Sequence, residues 1–275
     1  MGRYRGRQGA RGCTLSPERG EYRQSEGTLS EALAGPTIIG HRGAAGHAPE
    51  NTLSAFAAGL ALGVDGVEFD VQFTSDGVPV VLHDETLERM AGVRARVSDH
   101  TEAALRGFDL GFRSGPAFRG QRLPRVEDVA RLVSPPVELH AELKDYLPPG
   151  EREIRSLAGA LERNGGLARV VISSPHEETL AEVRRLVPAA RRALLLFRST
   201  RSPVDAARRA AFLGCHAVNP NASLALPELV DVCHRHNMRV LAFTVNERGT
   251  MRELVQNGVD GFFTDFPDRL RPVAA

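Results

Sequence analysis

The sequence predicts a single α/β barrel, and three observations carry that reading. Short apolar runs alternate with helical patterns from Ile38 onward, which argues for a largely parallel sheet. Polar residues sit at or near the ends of the first three runs, as where the carboxyl ends of parallel strands build one face. The chain has 275 residues, which suits one barrel of about 250.

Residues 1–35 are rich in Gly, Arg, Ser and Glu without apolar periodicity, and they read as a disordered leader. The folded domain then spans 36–275, beginning near Pro36. Its first strand is Thr37 to Gly40. Asn51 reads as the N-cap of a helix that buries Leu53, Phe56 and Leu60 and stops at Gly63. Val67 to Val71 is the second strand. Asp76-Gly77 signals a hairpin leading into Val78 to Leu82. Residues 85–123 hold neither period and are expected as a small insertion over the site mouth.

Helix returns at Val126 to Leu132, followed by a strand from Val137 to Leu143. Helices near Glu151 to Asn164, Glu177 to Leu186, Pro203 to Leu213, Pro227 to Asn237 and Met251 to Asn257 come next. Between and after them lie strands Arg169 to Ser173, Ala193 to Phe197, Ala217 to Asn219, Arg239 to Val245 and Gly261 to Thr264. That is nine strands for eight barrel positions. Val78 to Leu82 is expected to be the extra one, a hairpin arm that returns His83 to the mouth.

Composition narrows the function. A formal charge of +1 gives no electrostatic footprint for nucleic acid. No apolar run approaches the roughly 18 residues of a membrane span, and the N-terminus lacks an apolar signal-peptide core. Gly2 lacks the downstream Ser or Thr of a myristoyl anchor, so no stable membrane anchor is expected. Cys13, Cys215 and Cys233 are too scattered for a disulfide framework or zinc site, and a reducing cytoplasm fits them. Nothing in the chain specifies an oligomeric state. Lys144 is its only lysine, which invites a functional reading of that position.

The chemistry gathers at the strand ends. Glu68 and Asp70 are two apart on one strand and share a face. Glu142 and Lys144 repeat that spacing later. Three carboxylates at one rim suit a hard divalent cation, with Lys144 beside it to meet a phosphate as a point charge. The competing reading makes Glu68 and Asp70 salt-bridging residues of a strand end. His41 and His83 have the chemistry of an acid–base pair. Gly43 lets the backbone turn tightly under a ligand, and Arg42 offers a planar fork for phosphate oxygens. Alternatively, Arg42 pairs with Glu50 or Asp70. The other histidines read as structural, with His140 on the same face as Glu142 and a candidate to support it.

These residues resemble those of the glycerophosphodiester phosphodiesterases. The resemblance rests on H-R-G at 41–43, P-E-N-T at 49–52, E-x-D-V at 68–71, T-x-D-G at 74–77 and H-D at 83–84. It continues through E-x-K at 142–144, T-V-N at 244–246 and G-x-D-G-x-x-T-D-x-P at 258–267, and so covers residues 37–270. It implies a TIM (β/α)8 barrel with a small insertion after the His83 segment. One divalent cation, Mg²⁺ or Ca²⁺, would be held by Glu68, Asp70 and Glu142. Acid–base work would fall to His41 and His83, and phosphate binding to Arg42 and Lys144. The implied substrate is a small glycerophosphodiester, opened to sn-glycerol 3-phosphate and an alcohol. Attack by the glycerol 2-hydroxyl through a cyclic phosphate is the implied route, with the roles of the two histidines open.

Two positions depart from the family pattern. Phe243 stands where the family often has Trp, which shrinks one wall of the substrate pocket and removes an indole donor. Ser174-Pro175 replaces a common Ser-Phe. Both bear on the alcohol rather than the phosphate. A lysophospholipase D-like activity is the alternative, with Phe108, Phe112 and Phe118 lining an acyl groove or forming a small local core. A non-catalytic barrel that binds phosphodiesters is the third reading.

Overall fold

In the computed structural model, the described residues are 35–144, 148–164 and 167–270. The expected leader, apart from Gly35, falls outside them. Nine strands form among the described residues: β1 (Thr37–Gly40), β2 (Gly66–Phe73), β3 (Pro79–Val81), β4 (Glu138–Leu143) and β5 (Val170–Ser174). They continue with β6 (Arg191–Leu196), β7 (Ala217–Pro220), β8 (Arg239–Ala242) and β9 (Gly261–Thr264). All except β3 run parallel, and the ring closes where β1 pairs with both β2 and β9. β3 is the extra strand. It lies antiparallel on β2 outside the ring, as the Asp76-Gly77 turn predicts.

The strands read cleanly because both of their faces are buried. One face packs under the helices around Phe56, Phe69, Leu139, Ile172 and Val218. The other fills the lumen with Ile39, Val171, Ala193, Ala217, Leu241 and Phe263. The pairing registers, advanced one residue per strand by the barrel's stagger, sort the lumen side chains into layers of four. His41, Glu142, Leu195 and Phe243 make the layer at the mouth. Glu68, Ser173, Asn219 and Phe263 lie directly beneath it.

Three local expectations change. Thr52, not Asn51, caps the helix Leu53–Ala61, its Oγ1 accepting from the Ala55 amide at 3.3 Å. That helix buries Ala55, Phe56 and Gly59, while Leu53 in its first turn is 39% exposed. The strand expected at Arg239 to Val245 ends at Ala242, and Phe243 keeps the β7 register only as a single bridge to Asn221: its amide donates to Pro220 and its carbonyl accepts from Ala222.

Residues 85–123 do form an insertion, and they carry their own core. Leu87, Met90, Val97, Leu105, Leu110 and Leu123 pack with Val80 and Leu82 of the β3 arm. No helix among the described residues is long and apolar enough to cross a membrane.

Candidate active site

β2 alternates about its pleat, so Glu68 and Asp70 both enter the lumen. β4 pairs with it so that Asp70 stands opposite Glu142. One carboxylate oxygen from each of Glu68, Asp70 and Glu142 lies within 4.8 Å of the other two. Glu68 and Asp70 are almost wholly buried. Burial, then the neighbouring Asp70 charge, pushes the Glu68 pKa up to about 8. Burial and Asp70 raise Glu142 as well. For Asp70 burial works the same way, but Lys144, Arg42 and His83 outweigh it and bring the group down to about 2.

Glu68 Oε2 accepts from the Arg42 amide at 2.8 Å, whereas its buried Oε1 has no hydrogen-bonding partner among the described residues. Crowded carboxylates that hold a proton past its ordinary range, with a spare buried oxygen, form a donor set that fits a hard divalent cation. These three residues could hold such an ion.

His41 and His83 are anchored alike. Each turns Nδ1 to a carboxylate oxygen at 2.7 Å, His41 to Asp265 and His83 to Asp84. That leaves Nε2 of each ring as the atom for a reacting group. Asp265 is itself fixed by Asn246, whose Nδ2 donates to Oδ2 at 2.7 Å and whose Oδ1 accepts from the Asp265 amide at 2.9 Å. Asp84 is gripped at both oxygens by Arg89 Nε and Nη2, at 2.6 and 3.0 Å.

The β3 arm is pinned by Gln72, whose Nε2 donates to the carbonyls of Leu82 at 2.8 Å and Asp84 at 2.5 Å, one on each side of His83. The two rings are pushed apart. Burial lowers the His41 pKa, but the Asp265 hydrogen bond and the Glu68 charge leave it above its ordinary value. His83 stays below its ordinary value, because burial and the Lys144 and Arg42 charges exceed the pull of Asp70 and Asp84.

The loop after β1 holds Arg42 in left-handed backbone at φ 51°, followed by Gly43 at φ 89°. A Cβ on Gly43 would lie 2.5 Å from the Ala55 carbonyl carbon, so the tight turn needs glycine against the helix. Arg42 Nη1 donates to Glu50 at 2.8 Å, and its Nε lies 3.3 Å from Asp70 as a charge contact without hydrogen-bond alignment. Both partners offered by the structural reading of Arg42 are therefore engaged. Arg89 also donates to Glu50, at 3.0 and 2.7 Å, which links His83, Asp84, Arg89, Glu50 and Arg42 into one chain. Lys144 Nζ lies 2.7 Å from Glu142 and 3.3 Å from Asp70.

Asn51 was not among the site residues expected from the sequence. Its backbone is left-handed at φ 56°, and its Nδ2 donates to Asp70 Oδ2 at 2.7 Å. Asp265 and Asn246 were legible only as letters of the motifs, because His41, which Asp265 holds, lies far away in sequence. Phe243 reaches the mouth and meets Phe197 edge to face, ring centroids 5.8 Å apart. His140 does not support Glu142. It lies two residues down the strand, bonded to Glu138 at 3.3 Å and edge-on to Phe263.

The three phenylalanines of the insertion do not share a groove. Phe108 joins the small core, Phe112 is half exposed under Arg119, and Phe118 lines a cleft with His47 and Glu50.

A model of the glycerophosphoryl diester phosphodiesterase family matches residues 41–269. A glycerophosphodiester phosphodiesterase of Caldanaerobacter subterraneus subsp. tengcongensis is 34% identical over 236 residues, which is 85% of this chain and 95% of that protein. A second, from Bacillus altitudinis, is 34% identical over 236 residues, 84% of this chain and 95% of its own. Among solved structures, an Oleispira antarctica phosphodiesterase in complex with the product sn-glycerol-3-phosphate has a TM-score of 0.78 at 26% identity, covering 86% of this chain and 95% of that one. The family match spans residues 41–269, nearly the whole of the described barrel. The chain belongs to the glycerophosphoryl diester phosphodiesterase family.

Proposed function

We propose that this protein hydrolyses small glycerophosphodiesters to sn-glycerol 3-phosphate and an alcohol, with one divalent cation, Mg²⁺ or Ca²⁺, at Glu68, Asp70 and Glu142. The observation that carries the reading is the juxtaposition of that carboxylate cluster with two imidazoles, each held by its own aspartate. When bound, the cation would supply Lewis-acid stabilisation of charge on the phosphoryl oxygens. Arg42 and Lys144 would leave their carboxylate partners in part to bind the phosphate, the first as a fork and the second as a point charge.

His83 is the general base in this reading and His41 the general acid. The support is the opposite displacement of their pKa values, which favours neutral His83 and protonated His41 at the same pH. His83 Nε2 takes the proton of the glycerol 2-hydroxyl as its oxygen bonds to phosphorus. The bond from phosphorus to the alcohol oxygen breaks, and His41 Nε2 gives that oxygen its proton. Water then opens the cyclic phosphate with the two rings exchanging roles, which returns both to their starting states. Phe243 and Phe197 form the wall beside the leaving alcohol.

The test is sn-glycerol 3-phosphate release from glycerophosphocholine, in EDTA and then in Mg²⁺ or Ca²⁺. Wild type should be active only with metal. Both His41→Ala and His83→Ala should lose at least about 100-fold. With p-nitrophenol as leaving group, which needs no proton, His41→Ala should recover much of its rate and His83→Ala should not. The reverse pattern exchanges the two roles, and a silent wild type with either metal removes the proposal.

A further inference from the structure

The far wall of the lumen holds a polar group that neither the metal cluster nor the histidines use. Asn219 lies on β7, where Ala217 faces the lumen and Val218 the helices, so alternation points Asn219 inward. It is 1% exposed, and among the described residues neither its Nδ2 nor its Oδ1 has a hydrogen-bonding partner. Both halves of an amide left unpaired in a barrel interior are costly, and such a group calls for a ligand. By strand order, β7 stands across the ring from β2, so Asn219 faces Glu68 from the opposite side of one layer. Directly above it in the mouth layer are Leu195 and Phe243, neither of which has a polar side-chain atom to compete.

We infer that Asn219 is a specificity-determining residue that reads the free terminal hydroxyl of the substrate's glycerol moiety. The inference rests on the phosphodiesterase reading and deepens it. An amide presents a donor and an acceptor side by side, and the neutral group that answers both is a hydroxyl. An anion would face Oδ1 and a cation would face Nδ2, each with the wrong sign. Arg42 and Lys144 fix the phosphate at the rim, and the 2-hydroxyl reacts beside His83 and the carboxylates. The terminal hydroxyl is then the one polar group of the glycerol left to cross the lumen. Acylation of that hydroxyl removes the donor and adds bulk in a closed lumen, so the same contact selects deacylated over lyso-lipid substrates.

The experiment compares glycerophosphocholine with its 2-hydroxypropyl analogue, which keeps the attacking hydroxyl and lacks the terminal one. Wild type should favour the glycerol compound by roughly 100-fold or more in kcat/KM, since a site built to bond a hydroxyl rejects the analogue without it. In Asn219→Leu the ratio should collapse toward unity. Equal use of both substrates by wild type overturns the inference, as does a ratio unchanged in Asn219→Leu. Either result leaves Asn219 as the seat of a buried water.

If Asn219→Leu does not fold, Asn219→Ser and wild-type melting decide. Metal-loaded wild type should be protected more by sn-glycerol 3-phosphate than by 2-hydroxypropyl phosphate, and equal protection overturns the inference. Turnover of neither diester would instead remove the phosphodiesterase reading on which it rests.

Discussion

A carboxylate buried against other carboxylates keeps its proton beyond the usual range, and Glu68, raised to about 8, is that group. Its folded pKa lies above its unfolded one, so the metal-free protein binds an extra proton between the two values. Stability of the metal-free form should therefore fall as pH rises through that window. A divalent cation competes with the same proton. Its apparent affinity, measured by calorimetry on metal-stripped protein, should rise with pH up to about 8, with proton release at the lower end. An affinity that stays flat across that range would show that Glu68 is ionised without metal.

Residue identity at the site was legible because the strand spacing of Glu68, Asp70, Glu142 and Lys144 is local. Asn51 was misread because it and Thr52 are both good helix caps. Only the approach of β2 shows that Thr52 takes the cap while Asn51 reaches across to Asp70. Asn219 had no sequence signal at all, since an isolated asparagine in a short apolar run has no period.

At the level of elements, the loop after β1 does the most with the fewest residues. It turns back on the helix Leu53–Ala61 so closely that only hydrogen fits on Gly43. Gly43→Ala combines a positive φ with a backbone clash and should cost on the order of 2 kcal/mol or more. Thermal melting should record it, together with a fall in turnover as Arg42 and His41 are displaced. A variant that melts like wild type would mean that the helix shifts freely.

Elements buried on both sides were legible where they carry a short apolar run, as in Val170–Ile172 of β5 and Ala193–Leu196 of β6. So was β3, because Asp76-Gly77 forces the chain to reverse. The insertion was legible only as an absence of period. Its core is assembled from single turns, none long enough to show a helical repeat, and from two residues of the β3 arm.

Across the whole molecule the barrel separates chemistry at one end from cohesion at the other. The floor is an ionic cluster: Glu138 meets Arg191 at 2.6 Å, His140 at 3.3 Å and Arg239 at 3.5 Å, tying together β4, β6 and β8. Glu138→Ala strands these groups and should cost about 2 kcal/mol, less than a fully buried pair because the carboxylate is partly exposed. Its KM and kcat at a permissive temperature should match wild type, which a kinetic assay beside a melting curve would establish. A changed KM would mean that floor and mouth are coupled. Barrel closure itself was legible from the strand count and chain length, whereas the floor was not, because its charges come from strands far apart in sequence.

Lys144 has a further consequence. Every other cation in the chain is arginine, and this lysine lies between Glu142 and Asp70 at the centre of the mouth. An amine-directed reagent therefore has one side-chain target in the whole protein, and that target sits in the site. Its modification is a single-hit footprint: whatever occupies the carboxylates or the phosphate position is read out as protection at one peptide, with no background from other lysines to subtract.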